Sequence, residues 1–187
     1  MNVIIRPARP QDATQIARVH VSSWRSTYPG MLPSNYLVRM SVPVQAERWR
    51  RQLRDPQRAK GTFVVAASSS VTGTGVVGFG SCGAQRTALD GFRGEFYTIY
   101  LLDEVQGFGL GRHLMAAMAA DMMGGGMDSA LVWVLGNNPA RWFYERLGGE
   151  KVAEMPSEFA GGAITEVAYG WRDLAPLARL SAGPRVR

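Results

Sequence analysis

The chain has 187 residues, of which 46% are hydrophobic, 10% aromatic and 19% charged. That is enough apolar material for one packed core, which excludes wholesale disorder, and at ~150 residues per domain it is too short for two separate cores. Only Lys60 and Lys151 are lysines, so the net charge of +6 rests on 19 arginines; guanidinium forks suit phosphate or carboxylate, yet arginines spread this widely also read as codon bias, and charge alone names no ligand.

In chain order, Val3-Ile4-Ile5-Arg6 reads as a first strand stopped by Pro7 and Pro10, after which Asp12 can cap a helix carrying Ile16, Val19 and His20. Pro29-Gly30 breaks the next segment, Pro33-Ser34 can start a second helix, and a third runs from Val44 to Leu53, ending before Pro56. Arg48, Arg50, Arg51, Arg54 and Arg58 cluster there and predict a solvated helix face. Phe63 to Ala67, Gly75 to Phe79 and Gly94 to Leu102 read as three successive strands. Leu114, Met118 and Met122 then recur at four-residue intervals, with Met115 beside them, until Gly124-Gly125-Gly126 stops the helix. Ala130 to Leu135 is an apolar run of strand length, Pro139 to Leu147 a helix, and Lys151 to Glu154 and Ala163 to Trp171 the last strands. Residues 1–174 are expected to form a single domain, and 175–187 a partly disordered tail.

Cys82 is the only cysteine, so neither an intrachain disulfide nor a two-cysteine metal motif can form, and a reducing cytoplasm is expected. Arg6, Pro7, Arg9 and Pro10 stand where a secretory signal would need an apolar core, and no stretch approaches the ~18 apolar residues of a membrane span. No metal and no membrane association are expected.

The strongest local signal is Gln106-Gly107-Phe108-Gly109-Leu110-Gly111, between a strand and a helix. Glycines at alternate positions let a loop turn several backbone N–H groups to one point, and the helix adds its positive end, which suits a phosphate or pyrophosphate. A P-loop is excluded because Gly111 is followed by Arg112-His113, and a dinucleotide fingerprint starting at Gly107 would need glycine at 112. Gly73-Thr74-Gly75-Val76-Val77-Gly78 has the dinucleotide spacing but lies in strand-like sequence and reads as a turn between two strands.

The arrangement resembles the GNAT superfamily of N-acetyltransferases. The resemblance rests on the motif Gln/Arg-x-x-Gly-x-Gly/Ala, matched by Gln106, Gly109 and Gly111, and on the downstream Asn…Phe-Tyr-Glu-x-x-Gly element, matched by Asn138 through Phe143-Tyr144-Glu145 to Gly148. It implies an α/β (α+β) fold with a mixed, mostly antiparallel sheet of about seven strands flanked by helices. It also implies acetyl-coenzyme A as co-substrate, with the pyrophosphate on the N–H groups of Gln106, Gly107, Phe108, Gly109, Leu110 and Gly111 and on Arg112. The pantetheine arm is then expected to pair with Leu101 and Leu102, and a thioester oxygen near Leu101 N–H would gain oxyanion stabilisation. Asp103 stands where many relatives carry proline, a departure expected to have little effect beyond the local turn.

Tyr144 matches the family's tyrosine near the coenzyme sulfur; a phenol of reference pKa ~10 can protonate a thiolate of comparable basicity, though an aromatic beside Phe143 and Leu147 also suits a core face. Asn137 and Asn138 are both candidates for the coenzyme contact, and either could be merely a helix cap. Glu95 occupies the place of a catalytic glutamate in several relatives and is a candidate base for an acceptor ammonium; it reads equally as a strand-end charge that attracts a cationic substrate. His20 and His113 are weaker candidates. Trp24 and Tyr28 fall in the segment that forms an acceptor wall in the family, and core packing explains Trp24 as well. The expected reaction is acetyl transfer to a small primary amine by direct attack; the alternatives are a coenzyme-sensing module without transfer activity, and an enzyme acting on a protein amino group or aminoacyl-tRNA. Nucleic-acid binding gains no support from basic tracts interleaved with aromatics, and homodimerisation is common among relatives.

Overall fold

The computed structural model describes residues 2–69 and 73–182, and its named strands join one seven-stranded sheet in the order β1-β2-β3-β4-β5-β7-β6. β1 (Asn2–Pro7), β2 (Thr62–Ser69), β3 (Gly73–Ala84) and β4 (Gly94–Leu101) run antiparallel to one another. β5 (Ala130–Leu135) lies parallel to β4, and β7 (Gly162–Trp171) pairs antiparallel with both β5 and β6 (Glu150–Phe159). The mixed, mostly antiparallel sheet is therefore as expected. Gly73 to Gly78 all lie within β3, so the second glycine pattern belongs to a strand and not to a helix-opening loop.

A parallel pair needs a crossover, and α5 (Leu110–Gly124) supplies it between β4 and β5. Leu114, Met115, Met118 and Met122 of α5 are fully buried against Phe63, Val65, Phe96 and Val132. The opposite sheet face is covered by α1 (Ala13–Thr27) and α3 (Val42–Arg54), whose Ile16, Val19, Trp49 and Leu53 pack on Val64, Val76 and Phe79. Strand alternation sends Val64 to one layer and its neighbours Phe63 and Val65 to the other. Short helices α2 (Ser34–Arg39) and α4 (Pro56–Ala59) flank α3, and α6 (Ala140–Arg146) joins β5 to β6. Among the described residues, no helix is long and apolar enough to cross a membrane.

β4 and β5 pair only from Gly94–Ala130 to Phe96–Val132. Beyond that point β5 is held by β7 and β4 by β3. A bulge helps to separate them: Ser81 faces Thr98 and Cys82 faces Phe96, so Tyr97 is an extra residue in β4, and such an insertion bends the strand and increases its twist.

The segment after Leu174 departs from the expected tail. Ala175–Ala178 forms α7, Arg179–Ala182 continues as a 3-10 turn, and Leu177 is 2% exposed within the α5 core. An apolar anchor at 177 outweighs the proline and the short polar stretches that read as a frayed end; residues 183–187 lie outside the described part. Leu177→Ala is expected to lower stability by about 2–4 kcal/mol, measured as a shift in denaturant midpoint; an unchanged midpoint would show that the segment is not part of the core.

Candidate active site

Beyond Leu101 the chain makes a 3-10 turn over Asp103–Val105 and enters α5 through Gln106–Gly109. Gly107 and Gly109 have φ of +81° and +79°, a region that glycine enters without Cβ strain. Gln106 N–H closes the turn on the Asp103 carbonyl at 3.2 Å, and His113 N–H is the first in the helix to reach a backbone acceptor, Gly109 C=O at 3.3 Å. The backbone N–H groups of residues 107–112 have no acceptor among the described residues, and they lie at the positive end of a 15-residue helix. Arg112 curls back over them: a Cβ on Gly109 would sit 3.2 Å from its Nε. Gln106 differs from its expected role, because its own N–H is taken. Its Nε2 instead donates to Leu101 C=O and to Asp103 Oδ1, both at 3.1 Å.

Leu102 N–H donates to Val77 C=O at 2.9 Å, and its carbonyl accepts from Val105 N–H at 3.0 Å. Leu102 therefore has no backbone N–H left for a ligand, contrary to expectation. Antiparallel alternation then turns the N–H groups of Leu101 and Ile99 away from β3, towards the edge that β5 has left. Ile99 was not singled out in the sequence, although its i, i+2 relation to Leu101 in a strand places it on the same edge.

α6 brings Tyr144 to this gap. Gly111 permits the approach, since a Cβ there would lie 3.2 Å from Phe143 Cζ. Tyr144 is buried, its ring near Phe143, Tyr169 and Trp171, so the core-face reading holds as well. Burial, with Tyr28 adding to it, holds the phenol well above its ordinary pKa, and it also acts on the titration of Tyr100. Tyr28 and Tyr100 meet hydroxyl to hydroxyl at 3.4 Å, so three phenols share one neighbourhood. Trp24, on α1, lies 4.9 Å from Tyr28 and 6.4 Å from Tyr100 between ring centroids. Ser23 Oγ donates to Leu101 C=O at 3.3 Å and Ser26 Oγ to Asp103 Oδ1 at 3.2 Å, tying α1 to the glycine loop. Position 103 thus does more than shape the turn.

Asn138 is buried, and its Oδ1 accepts from Ala140 N–H at 2.9 Å, which is a cap for α6. Asn137 is exposed and lines a cleft of about 810 Å³ with Arg141, Trp142 and Glu145. Of the two side chains, only that of Asn137 is exposed.

The structure does not bring Glu95 to the gap. It lies four residues before Ile99, roughly 13 Å along a strand. Its carboxylate is 1% exposed and accepts from Arg86 N–H at 2.9 Å, from Arg86 Nε at 3.1 Å and from Arg86 Nη2. The Arg86 guanidinium also lies over the Tyr97 ring at 4.2 Å. These hydrogen bonds hold the carboxylate on Arg86 and away from the gap. His20 is stacked on Tyr100 at 5.7 Å, and its Nδ1 accepts from Trp49 Nε1 at 3.3 Å. Burial, with Arg48 nearby, lowers its pKa to about 4. His113 lies in the first turn of α5 with Nε2 buried and unpartnered. Arg48, Arg51 and Arg58 line, with Lys60 and Cys82, a depression of about 670 Å³ near the start of β2, where a plain solvated face was expected.

Residues 78–156 match the model of the FR47-like protein family. An uncharacterized N-acetyltransferase of Bacillus subtilis (strain 168), YuaI, is 38% identical over 178 residues, covering 95% of this chain and 98% of that protein. The chain belongs to the GNAT family of N-acetyltransferases. Among solved structures, this GNAT chain is similar to a protein of Desulfovibrio desulfuricans assigned to the same family, with 25% identity, TM-score 0.65 and coverage of 92% of this chain and 99% of that one. It also shares the fold of PaiA N-acetyltransferase from Thermoplasma acidophilum in complex with coenzyme A (18% identity, TM-score 0.67, 89% and 98% covered). YncA of Salmonella typhimurium with acetyl-CoA is comparable (20% identity, TM-score 0.65, 93% and 95% covered).

Two outcomes are expected from the charges of this region. Arg86→Ala leaves the buried Glu95 carboxylate without its partner and should cost roughly 1–3 kcal/mol, the lower end being favoured because Arg86 is largely exposed; chemical denaturation measures it. His20 is neutral in the fold but protonates in the unfolded chain, so its contribution is complete above pH 6.5 and is lost as pH falls towards 4. The loss amounts to about 3 kcal/mol at most, and His20→Gln should flatten that part of a stability-against-pH curve.

Proposed function

We propose that the chain transfers the acetyl group of acetyl-coenzyme A to a primary amine by direct attack in a ternary complex. The observation that carries this reading is the set of unpartnered N–H groups at 107–112, set at the end of a strand whose open edge leads to Tyr144. That PaiA and YncA were solved with coenzyme A and acetyl-CoA supports the choice of donor.

Acetyl-coenzyme A supplies the thioester, whose carbonyl carbon the free amine attacks, with cleavage of the C–S bond. The N–H groups of residues 107–112 and Arg112 would hold the pyrophosphate. The N–H of Leu101 or Ile99 would donate to the carbonyl oxygen as negative charge develops on it, a contact stronger in the transition state than in the ground state. Tyr144 keeps its proton through the neutral pH range and delivers it to the departing thiolate. Glu95 stays paired with Arg86 in this reading and does not touch the acceptor, whose surplus proton passes to water. Proximity of the two bound reactants supplies much of the acceleration.

In a thiol-release assay, Tyr144→Phe is expected to lower kcat by about 100-fold with a smaller effect on the KM for acetyl-coenzyme A; an unchanged kcat removes the acid role. Gly109→Ala places a Cβ at φ +79° and against Arg112, and should raise that KM about tenfold through loss of one or more charge-assisted hydrogen bonds. Stoichiometric coenzyme binding with no thiol release across a broad amine panel would replace the enzyme by a coenzyme sensor.

A further inference from the structure

The acceptor side of the gap is built of aromatic rings. Besides the pair Tyr28 and Tyr100, Trp24 meets Tyr36 and Phe159 at 5.9 Å each, and Tyr36 meets Phe159 edge-on at 4.8 Å. Phe159 comes from the turn of the β6–β7 hairpin, more than a hundred residues downstream of α1, so this wall is assembled from three separate parts of the chain. Trp24, Tyr28, Tyr36, Tyr100 and Phe159 are all half-buried, and each offers a ligand apolar surface.

Charges of both signs stand around these rings. Arg48 acts on the stacked His20. Arg25 spans α1 and α2 by donating to the carbonyls of Val38 at 3.4 Å and Met40 at 2.9 Å. Asp103 stands at the rim, already accepting from Ser26 and Gln106. Glu158 is exposed, and strand alternation points it away from Phe159. Among the described residues, no carboxylate hydrogen-bonds to any of the five rings, and Asp103 at the rim is already engaged by Ser26 and Gln106, so a second ammonium lying against the rings would lose its hydration without a free carboxylate beside them. One polar atom of the wall is also unsatisfied: Trp24 Nε1 is buried and lacks a hydrogen-bond partner. It lies near enough to the Tyr100 oxygen to influence its titration, yet outside hydrogen-bond geometry. A buried donor of this kind is satisfied by an acceptor oxygen brought in from outside.

We infer that the acceptor is a primary amine carried on an aromatic or similarly bulky apolar body, with a carbonyl oxygen close to the amine, and not a polyamine or a lysine side chain. The amides of aromatic amino acids have this chemistry. The inference rests on the acetyltransfer reading above and assigns the acceptor class to the same site.

The test is thiol release from acetyl-coenzyme A with four acceptors, phenylalaninamide, 2-phenylethylamine, spermidine and an Nα-blocked lysine, using the full chain and its Trp24→Phe variant. The expected result is a kcat/KM for phenylalaninamide about tenfold or more above those for spermidine and lysine. The preference for phenylalaninamide over 2-phenylethylamine should also shrink about threefold to tenfold in Trp24→Phe, because only the amide offers an oxygen to the indole N–H. Equal or better turnover of spermidine or lysine overturns the acceptor class while leaving acetyltransfer intact, and an unchanged preference in Trp24→Phe overturns the role of the N–H. Absence of thiol release with all four, with coenzyme still bound, overturns the acceptor class, and absence across the broad amine panel overturns the acetyltransfer reading as well.

Discussion

The parallel ladder between β4 and β5 ends at the Phe96–Val132 pair, and the site depends on that ending. Had the ladder continued, the N–H groups of Ile99 and Leu101 would be spent on β5, and nothing between the strands could receive a ligand backbone. One local feature helps to keep it open: the extra residue Tyr97 bends β4, while β7 pairs with the far edge of β5 along its whole length and holds that strand in place. Unpaired backbone is costly inside a protein, and the proposed coenzyme arm would complete the pairing of the edge left open in mid-sheet.

The rest of the architecture delivers groups to that edge. α5 returns the chain from β4 to β5 and places its positive end beside the gap, with Gln106 clamping the turn onto Leu101 and Asp103. α6 brings Tyr144 from the other side, and Gly111 and Phe143 allow the two helices to close on each other. α1 and the β6–β7 hairpin contribute the rings. The ionic pair of Glu95 with Arg86 lies apart from the gap and ties the start of β4 to the loop before it, its carboxylate buried and its guanidinium largely exposed.

Much of this was legible in the residues. The alternating glycines of Gln106–Gly111 fall between a strand and a helix, and no other placement of positive φ at 107 and 109 suits so short a connection. The methionines and leucine of α5, the apolar run of β5 and the breaks at Pro29-Gly30 and Gly124-Gly125-Gly126 also speak locally, through period and turn chemistry. Other features had no local signal. Arg86 as the partner of Glu95 depends on a loop folding back, and Tyr100 with Tyr28 on two elements 72 residues apart meeting across a sheet face. Leu102 looked equivalent to Leu101 until the register with Val77 turned its N–H the other way, and Leu177 showed nothing in sequence that would make it a core residue.

The sequence by itself determined the layered α/β fold class, the glycine loop, the family resemblance and the short list of residues near the chemistry, because periodicity, glycine conformation and helix capping act over a few neighbouring residues. Only the tertiary structure decided which of those residues face the gap. Leu101 was separated from Leu102, and Tyr144 from Glu95, by strand register, by one bulge and by the packing of distant elements, and those depend on contacts between parts of the chain that no local pattern connects.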